Sequence, residues 1–199
     1  MLLHGFVPVS RANGPGRRAV VWFQGCSLAC PSCWNPQTHR YEGEFTDGSE
    51  VVERVLTLRR GGDIDGVTFS GGEPMQQAFS LLDLIKRLRE GDPEHLSFGM
   101  FTGYTLAELD AGRFHTFEDR PDPIGTWRQI RTHLDFAVTG RYNQRMPSGL
   151  PLRSSRNQQL HLLTARYLQS DFEAQIVEVT VDPDGAATLT GFPVLGIPA

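Results

Sequence analysis

The chain has 199 residues, 39% of them apolar, and a formal net charge of -4. That length makes one domain, or one domain with a small appendage, and the acidic balance argues against a nonspecific nucleic-acid binder. No run approaches the ~20 uninterrupted apolar residues of a membrane span, and residues 1–6 lack the charged start and long apolar run of a signal peptide.

Residues 1–18 are polar and turn-rich. Gly14-Pro15-Gly16-Arg17-Arg18 reads as a loop, and its place just before a strand and a cysteine loop gives it an expected role in lining a site. Residues 19–24 form a short apolar run of β-formers and predict a strand buried on both faces. A loop holding all three cysteines leaves its carboxyl end, and Trp34-Asn35-Pro36 closes it, because a residue before proline avoids the helical region. Residues 49–60 predict a helix with Ser49 as N-cap, Glu50 and Glu53 in the first turn and Arg59-Arg60 in the last, stopped by Gly61-Gly62. A second strand over 67–70 runs into Gly71-Gly72-Glu73-Pro74, and a helix over 76–90 follows. A third strand over 96–102 ends in Thr102-Gly103-Tyr104. Thr105 then caps a short helix over 106–109, with Glu108 at the capping-box position. Residues 111–123 read as an irregular insertion, 124–132 as a helix, 134–138 as a fourth strand, 142–159 as loop and 159–168 as a helix. Residues 176–190 carry a β-hairpin signal around Asp182-Pro183-Asp184-Gly185. Strands alternating with helices predict a largely parallel sheet, whose loops at the carboxyl strand ends build the site.

Cys26, Cys30 and Cys33 are spaced C-x3-C-x2-C, and no fourth cysteine exists. A disulfide would strand one thiol, and a C-x2-C pair in a tight loop is a poor bridge. A zinc site needs a fourth ligand, for which His39 or His4 could serve. A cubane 4Fe-4S cluster ordinarily takes four cysteines, so three would leave one iron open, the mark of a catalytic rather than an electron-relay site. Clustered thiols without a disulfide framework fit a reducing cytoplasm. Ser70-Gly71-Gly72-Glu73-Pro74 adds a strand end with bare backbone, open to close approach by a ligand, and Glu73 can take a cationic amine.

C-x3-C-x2-C after one strand, with G-G-E-P after the next, resembles the radical S-adenosylmethionine (SAM) superfamily. Gly14-Pro15-Gly16-Arg17-Arg18 before the first of these strands is similar to the G-P-G-x-R segment of the enzymes that activate glycyl-radical enzymes. Cys30-Pro31-Ser32-Cys33-Trp34-Asn35, Thr102-Gly103-Tyr104 and the stretch from Arg153 to Gln158 are most like the activators of anaerobic ribonucleoside-triphosphate reductase. The resemblance covers roughly residues 4–162.

What the resemblance implies is an α/β fold, an open partial (β/α)6 barrel over residues 1–163, with a C-terminal extension over 164–199 bearing the hairpin. Cys26, Cys30 and Cys33 would bind a 4Fe-4S cluster whose open iron chelates SAM. Ser32, Cys33, Trp34, Ser70, Gly71, Gly72, Glu73 and Thr102 would surround SAM. Reductive cleavage would yield methionine and a 5′-deoxyadenosyl radical, which removes hydrogen from a backbone glycine of a partner glycyl-radical enzyme. A flavodoxin- or ferredoxin-type donor would supply the electron, and neither nucleic acid nor membrane is expected as a partner. A small radical SAM enzyme acting on a peptide or metabolite, and a non-catalytic zinc- or cluster-stabilised binding module, are the alternatives.

Overall fold

The computed structural model describes residues 1–93, 96–172, 177–181, 185 and 187–192. Its main element is a six-stranded sheet of sequential order: β1 (Leu3–Ser10), β2 (Arg18–Phe23), β3 (Gly66–Gly71), β4 (Ser97–Thr102), β5 (Phe136–Thr139) and β6 (Gln159–Leu162). The pairs β2–β3, β3–β4 and β4–β5 are parallel, and an antiparallel strand lies at each edge. The connections between the parallel strands carry α1 (Gly48–Arg60), α2 (Ala78–Gly91), and α3 (Leu106–Asp110) with α4 (Pro123–His133). Right-handed crossovers between sequential neighbours put every helix on one face. One cluster accordingly joins Val51 and Val55 of α1, Leu81, Leu84 and Ile85 of α2, and Trp127 and Ile130 of α4 to Val21, Phe69 and Met100 of the sheet. The period of two sends the alternate strand residues to the other face, where Phe136 and Val138 pack with Leu152 and Phe172.

Three expected elements are placed differently. Residues 1–18 hold strand β1, which pairs with β2 from Leu3↔Phe23 to Ser10↔Arg18. Residues 159–168 begin with strand β6 rather than a helix, because Gln159–Leu162 completes the edge of β5. The N-cap of α1 is Asp47, whose carboxylate accepts from the Ser49 amide at 2.9 Å; Ser49 is already helical. The capping box of Thr105 and Glu108 on α3 is present as read. The C-terminal hairpin pairs β7 (Val177–Val181) with β8 (Ala187–Gly191); its turn at Asp182-Pro183-Asp184 lies outside the described residues. No helix among the described residues is long and apolar enough to cross a membrane.

The amino end of the parallel strands is built around Arg18. Its side chain is fully buried and donates to Thr68 Oγ1, Ser97 Oγ, and the carbonyls of Val67 and Ser97, at 2.7–3.1 Å. It lies over the Phe136 ring, 5.0 Å from the centroid. The Gly14–Arg18 segment therefore sits at the opposite end of β2 from the cysteine loop, and the expected site-lining role is not what the fold gives it. It fastens the starts of β2, β3 and β4 instead.

Phe136 also fills the space over Gly99, where an added Cβ would fall 2.1 Å from the ring. Overpacking of this kind costs about 1–3 kcal/mol. Gly99→Ala is expected to lower the melting temperature of the metal-free protein by roughly 2–10 °C; an unchanged melt would show that the ring yields freely.

Candidate active site

Because β2, β3 and β4 run parallel, the loops that leave them lie at one end of the sheet, and all three are unusual. Gly25 leaves β2 with φ +101°, and Ala29 and Ser32 also take left-handed φ values of +43° and +58°. Such conformations are costly outside glycine. Here they coil residues 26–33 tightly enough to bring Cys26, Cys30 and Cys33 to one cavity. The loop's base is tied down by amides: Gly25 and Cys26 donate to the carbonyls of Thr38 and His39 at 2.8 and 3.0 Å. All three cysteines are free.

The same cavity is lined by Trp34, Ser70, Gly71, Gly72, Glu73 and Thr102. Ser32, expected among them, is exposed and is not part of the lining. Phe101, Val138, Tyr142, Ser154 and Gln158, which were not singled out as SAM contacts, also line it. They come from the ends of β4 and β5 and from the loop before β6, and only the pairing of distant strands brings them there. The two glycines also serve the fold. A Cβ on Gly71 would fall 2.5 Å from the Phe23 nitrogen and one on Gly72 would fall 2.4 Å from the Gly25 carbonyl oxygen. Their bareness lets β3 close on the root of the cysteine loop, where Gly72 and Glu73 amides donate to Phe23 and Gly25 carbonyls at 2.8 and 2.9 Å.

Glu73 is 1% exposed. Its Oε1 accepts from Thr102 Oγ1 at 2.8 Å and the Met75 amide at 3.0 Å, and its Oε2 from the Gly103 amide at 2.7 Å. Burial raises its pKa to about 7 against the pull of those three donors. Burial, with Glu73 adding to it, pushes the Cys26 thiol up to about 11, and burial raises Cys33 as well. A cavity that disfavours bare thiolate and carboxylate alike favours cationic occupants: iron on the sulfurs and an amine on Glu73.

Gln76 joins the loops. Its carbonyl accepts from the Ser27 amide at 2.9 Å, and its amide donates to Ser27 Oγ at 2.6 Å and Tyr104 Oη at 3.0 Å. The 111–123 insertion braces the same region: Phe117 stacks on Tyr41, centroids 3.9 Å apart, and Tyr41 packs on Gly25.

Neither histidine weighed as a zinc ligand lines the cysteine cavity. His4 meets Gln24 Oε1 at 3.1 Å, and His39 supplies its backbone carbonyl to the Cys26 amide. Among the described residues no three His, Cys, Asp or Glu side chains gather around a single-ion position. A cubane spreads three thiolates over separate irons, farther apart than the ligands of one ion, and three free cysteines around one cavity fit it.

A family model described as a 4Fe-4S single cluster domain matches residues 12–161. The chain belongs to this family, among the radical SAM activating enzymes. It is 30% identical over 173 residues to the anaerobic ribonucleoside-triphosphate reductase-activating protein of Vibrio cholerae, covering 82% of this chain and 99% of that one. It is 29% identical over 154 residues to the protein of the same name from Escherichia coli K12, covering 67% and 99%. The pyruvate formate-lyase-activating enzyme of Clostridium pasteurianum is 40% identical over 95 residues, 44% of this chain and 38% of that one. The family match takes in the cysteine loop, Gly71–Glu73 and Thr102, and ends before the hairpin.

Two outcomes follow for the metal-free and reconstituted protein. A carboxyl pKa raised from 4.5 to about 7 means the folded chain keeps a proton that the unfolded chain loses. Stability contributed by protonated Glu73 is therefore full below about pH 4.5 and lost as pH rises to about 7, on the order of 3 kcal/mol. Melting curves of the metal-free protein should show this loss, and Glu73→Gln should flatten it; parallel pH profiles would refute the assignment. Gln76→Ala leaves buried donors and acceptors unpaired at a cost of about 1–3 kcal/mol and should speed chelator removal of iron several-fold; unchanged release would mean that Gln76 does not hold the loop.

Proposed function

We propose that this chain activates a glycyl-radical enzyme, with a partner of the anaerobic ribonucleoside-triphosphate reductase kind that its relatives' names indicate. The observation that carries the reading is the cavity where three free cysteines meet a buried carboxylate, inside the stretch matched by the 4Fe-4S family. Cys26, Cys30 and Cys33 would hold three irons of the cluster and leave the fourth for the amino and carboxylate groups of SAM. When bound, the cluster supplies the electron that splits the sulfonium carbon–sulfur bond of SAM, giving methionine and the 5′-deoxyadenosyl radical that takes hydrogen from a partner glycine.

The protein's own part is binding, orientation and shielding. Ionised Glu73 accepts from the methionine ammonium, and the three donors on its oxygens fix its direction. The incoming cation supplies the countercharge that burial withholds, so binding draws Glu73 to its ionised form. Ser70, Gly71, Gly72 and Thr102 close the strand ends around the amino-acid portion, with Trp34 beside the cysteines. Phe101 and Val138 wall the cavity with apolar surface and keep water and stray hydrogen donors from the radical. We further read the six strands as an open partial barrel over residues 1–163, with 164–199 as an extension, working in a reducing cytoplasm with a flavodoxin- or ferredoxin-type donor.

The test is anaerobic reconstitution with iron and sulfide, reduction, and addition of SAM. Formation of 5′-deoxyadenosine and a SAM-induced change in the cluster's spin-resonance spectrum are expected. Alanine at Cys26, Cys30 or Cys33 should abolish both. Glu73→Ala should weaken SAM binding about tenfold or more, the worth of a lost charge-assisted hydrogen bond, with the SAM-free cluster spectrum intact. An intact cluster that neither responds to SAM nor cleaves it would defeat the proposal.

A further inference from the structure

We propose that the loop over residues 141–157 is the docking surface for an acidic one-electron carrier protein. The inference rests on the activase reading, since only a cluster that consumes electrons calls for such a partner. This loop holds Arg141, Arg145, Arg153 and Arg156 and no acidic residue, in a chain whose net charge is -4.

The loop's position gives that charge a use. A cleft of about 440 Å³ is lined by Cys30 and Pro31 on one side and by Arg141, Asn143, Arg145 and Asn157 on the other. Cys30 lines both this cleft and the cysteine cavity, whereas Cys26 and Cys33 line only the latter. Cys30 is thus the cluster corner nearest a protein that docks here. Tyr142 packs on Trp34, ring centroids 6.2 Å apart, and joins the basic loop to the cysteine loop.

Within the loop the charges divide. Arg141 is held by both oxygens of Glu108 at 2.9 Å, which anchors the loop's start and spends that charge. Arg145 and Arg156 are exposed, and so are Met146 and Leu150 at 36% and 45%. Apolar surface rimmed by one sign of charge suits a transient partner of opposite sign. The opposite edge of the sheet carries a net acidic segment. There the segment that bridges to β1 through Leu2 and Phe45 carries Glu42, paired with Arg40 at 3.8 Å, and two further carboxylates, Glu44 and Asp47. Because β1 and β6 are opposite edges of the sheet, the two rims steer an acidic protein toward Cys30 and away from β1. The carrier gives up one electron and is oxidised by one; the bound cluster gains that electron, and no proton moves.

The experiment uses the reconstituted protein, a flavodoxin as the acidic carrier, and photoreduced deazaflavin as a small reductant that needs no docking surface. Binding of flavodoxin, followed by biolayer interferometry, should weaken as salt is raised. The double variant Arg145→Glu/Arg156→Glu should lower the association rate at low salt roughly tenfold or more and flatten its salt dependence. Deazaflavin should still give the variant the native cluster spin-resonance signal and 5′-deoxyadenosine yield. Equal flavodoxin binding by variant and native protein would overturn the proposal. So would a loss of binding confined to the glycyl-radical enzyme, which would give the loop to the protein substrate instead. Failure of the native protein to form 5′-deoxyadenosine with deazaflavin would defeat the activase reading, while the binding curves would still decide the docking surface.

Discussion

A buried carboxylate with no cation in contact among the described residues is the constraint on which the site depends. Glu73 takes its three hydrogen bonds from neutral donors, two of them at the end of β4 and one in the turn that opens toward α2. These hold the side chain in place without neutralising it, so its pKa stands near 7. A carboxylate in that condition is stabilised by any ammonium that reaches it. The cost appears in the empty protein, and the return appears when an amine-bearing ligand arrives. The tie from Glu73 to the β4 end also places the cysteine loop, since Leu28 covers Gly103, the residue whose amide holds Oε2.

The two ends of the parallel strands divide the work of the molecule. At the amino end, Arg18 meets hydroxyls and carbonyls and carries the structural burden. Tyr167, from the segment after β6, reinforces it by donating to Ser97 Oγ at 2.7 Å. At the carboxyl end the strands stop short, and the chain turns back on glycines that allow close backbone approach. Rigidity at one end permits an exposed, chemically demanding loop at the other. Left-handed Ala29 and Ser32 are tolerated because the amide ties at Gly25 and Cys26 and the Gln76 side chain over-determine the loop.

What was legible beforehand was what depends on local chemistry. Three cysteines in eight residues, G-G-E-P after an apolar run, and a Thr-x-x-Glu capping box carry their meaning in adjacent residues. The central strands were legible because burial on both faces leaves an uninterrupted apolar run. β1 and β6 were not, because edge strands mix polar and apolar residues and become strands only through a partner far along the chain. The Gly14–Arg18 segment was misplaced for a related reason. Adjacency in sequence to β2 does not say which end of the strand a loop occupies relative to the site. Phe101 and Val138 had no local signal as site residues; they reach the cavity because the strands end side by side. Gln158 lay in a stretch marked only by its likeness to the reductase activators.

Glu178 of β7 accepts from Ser10 Oγ and from the amides of Arg11 and Ala12, and Asn13 Nδ2 donates to Thr190 Oγ1 at 2.8 Å. These bonds join residues 166 to 177 positions apart. During synthesis, β1 and the cysteine loop leave the ribosome well before the hairpin that grips the end of β1. The sheet, ordered as its strands are translated, can assemble neighbour by neighbour before that grip exists. An interval follows from this order in which the cysteines are already gathered and the hairpin has not yet closed on the end of β1.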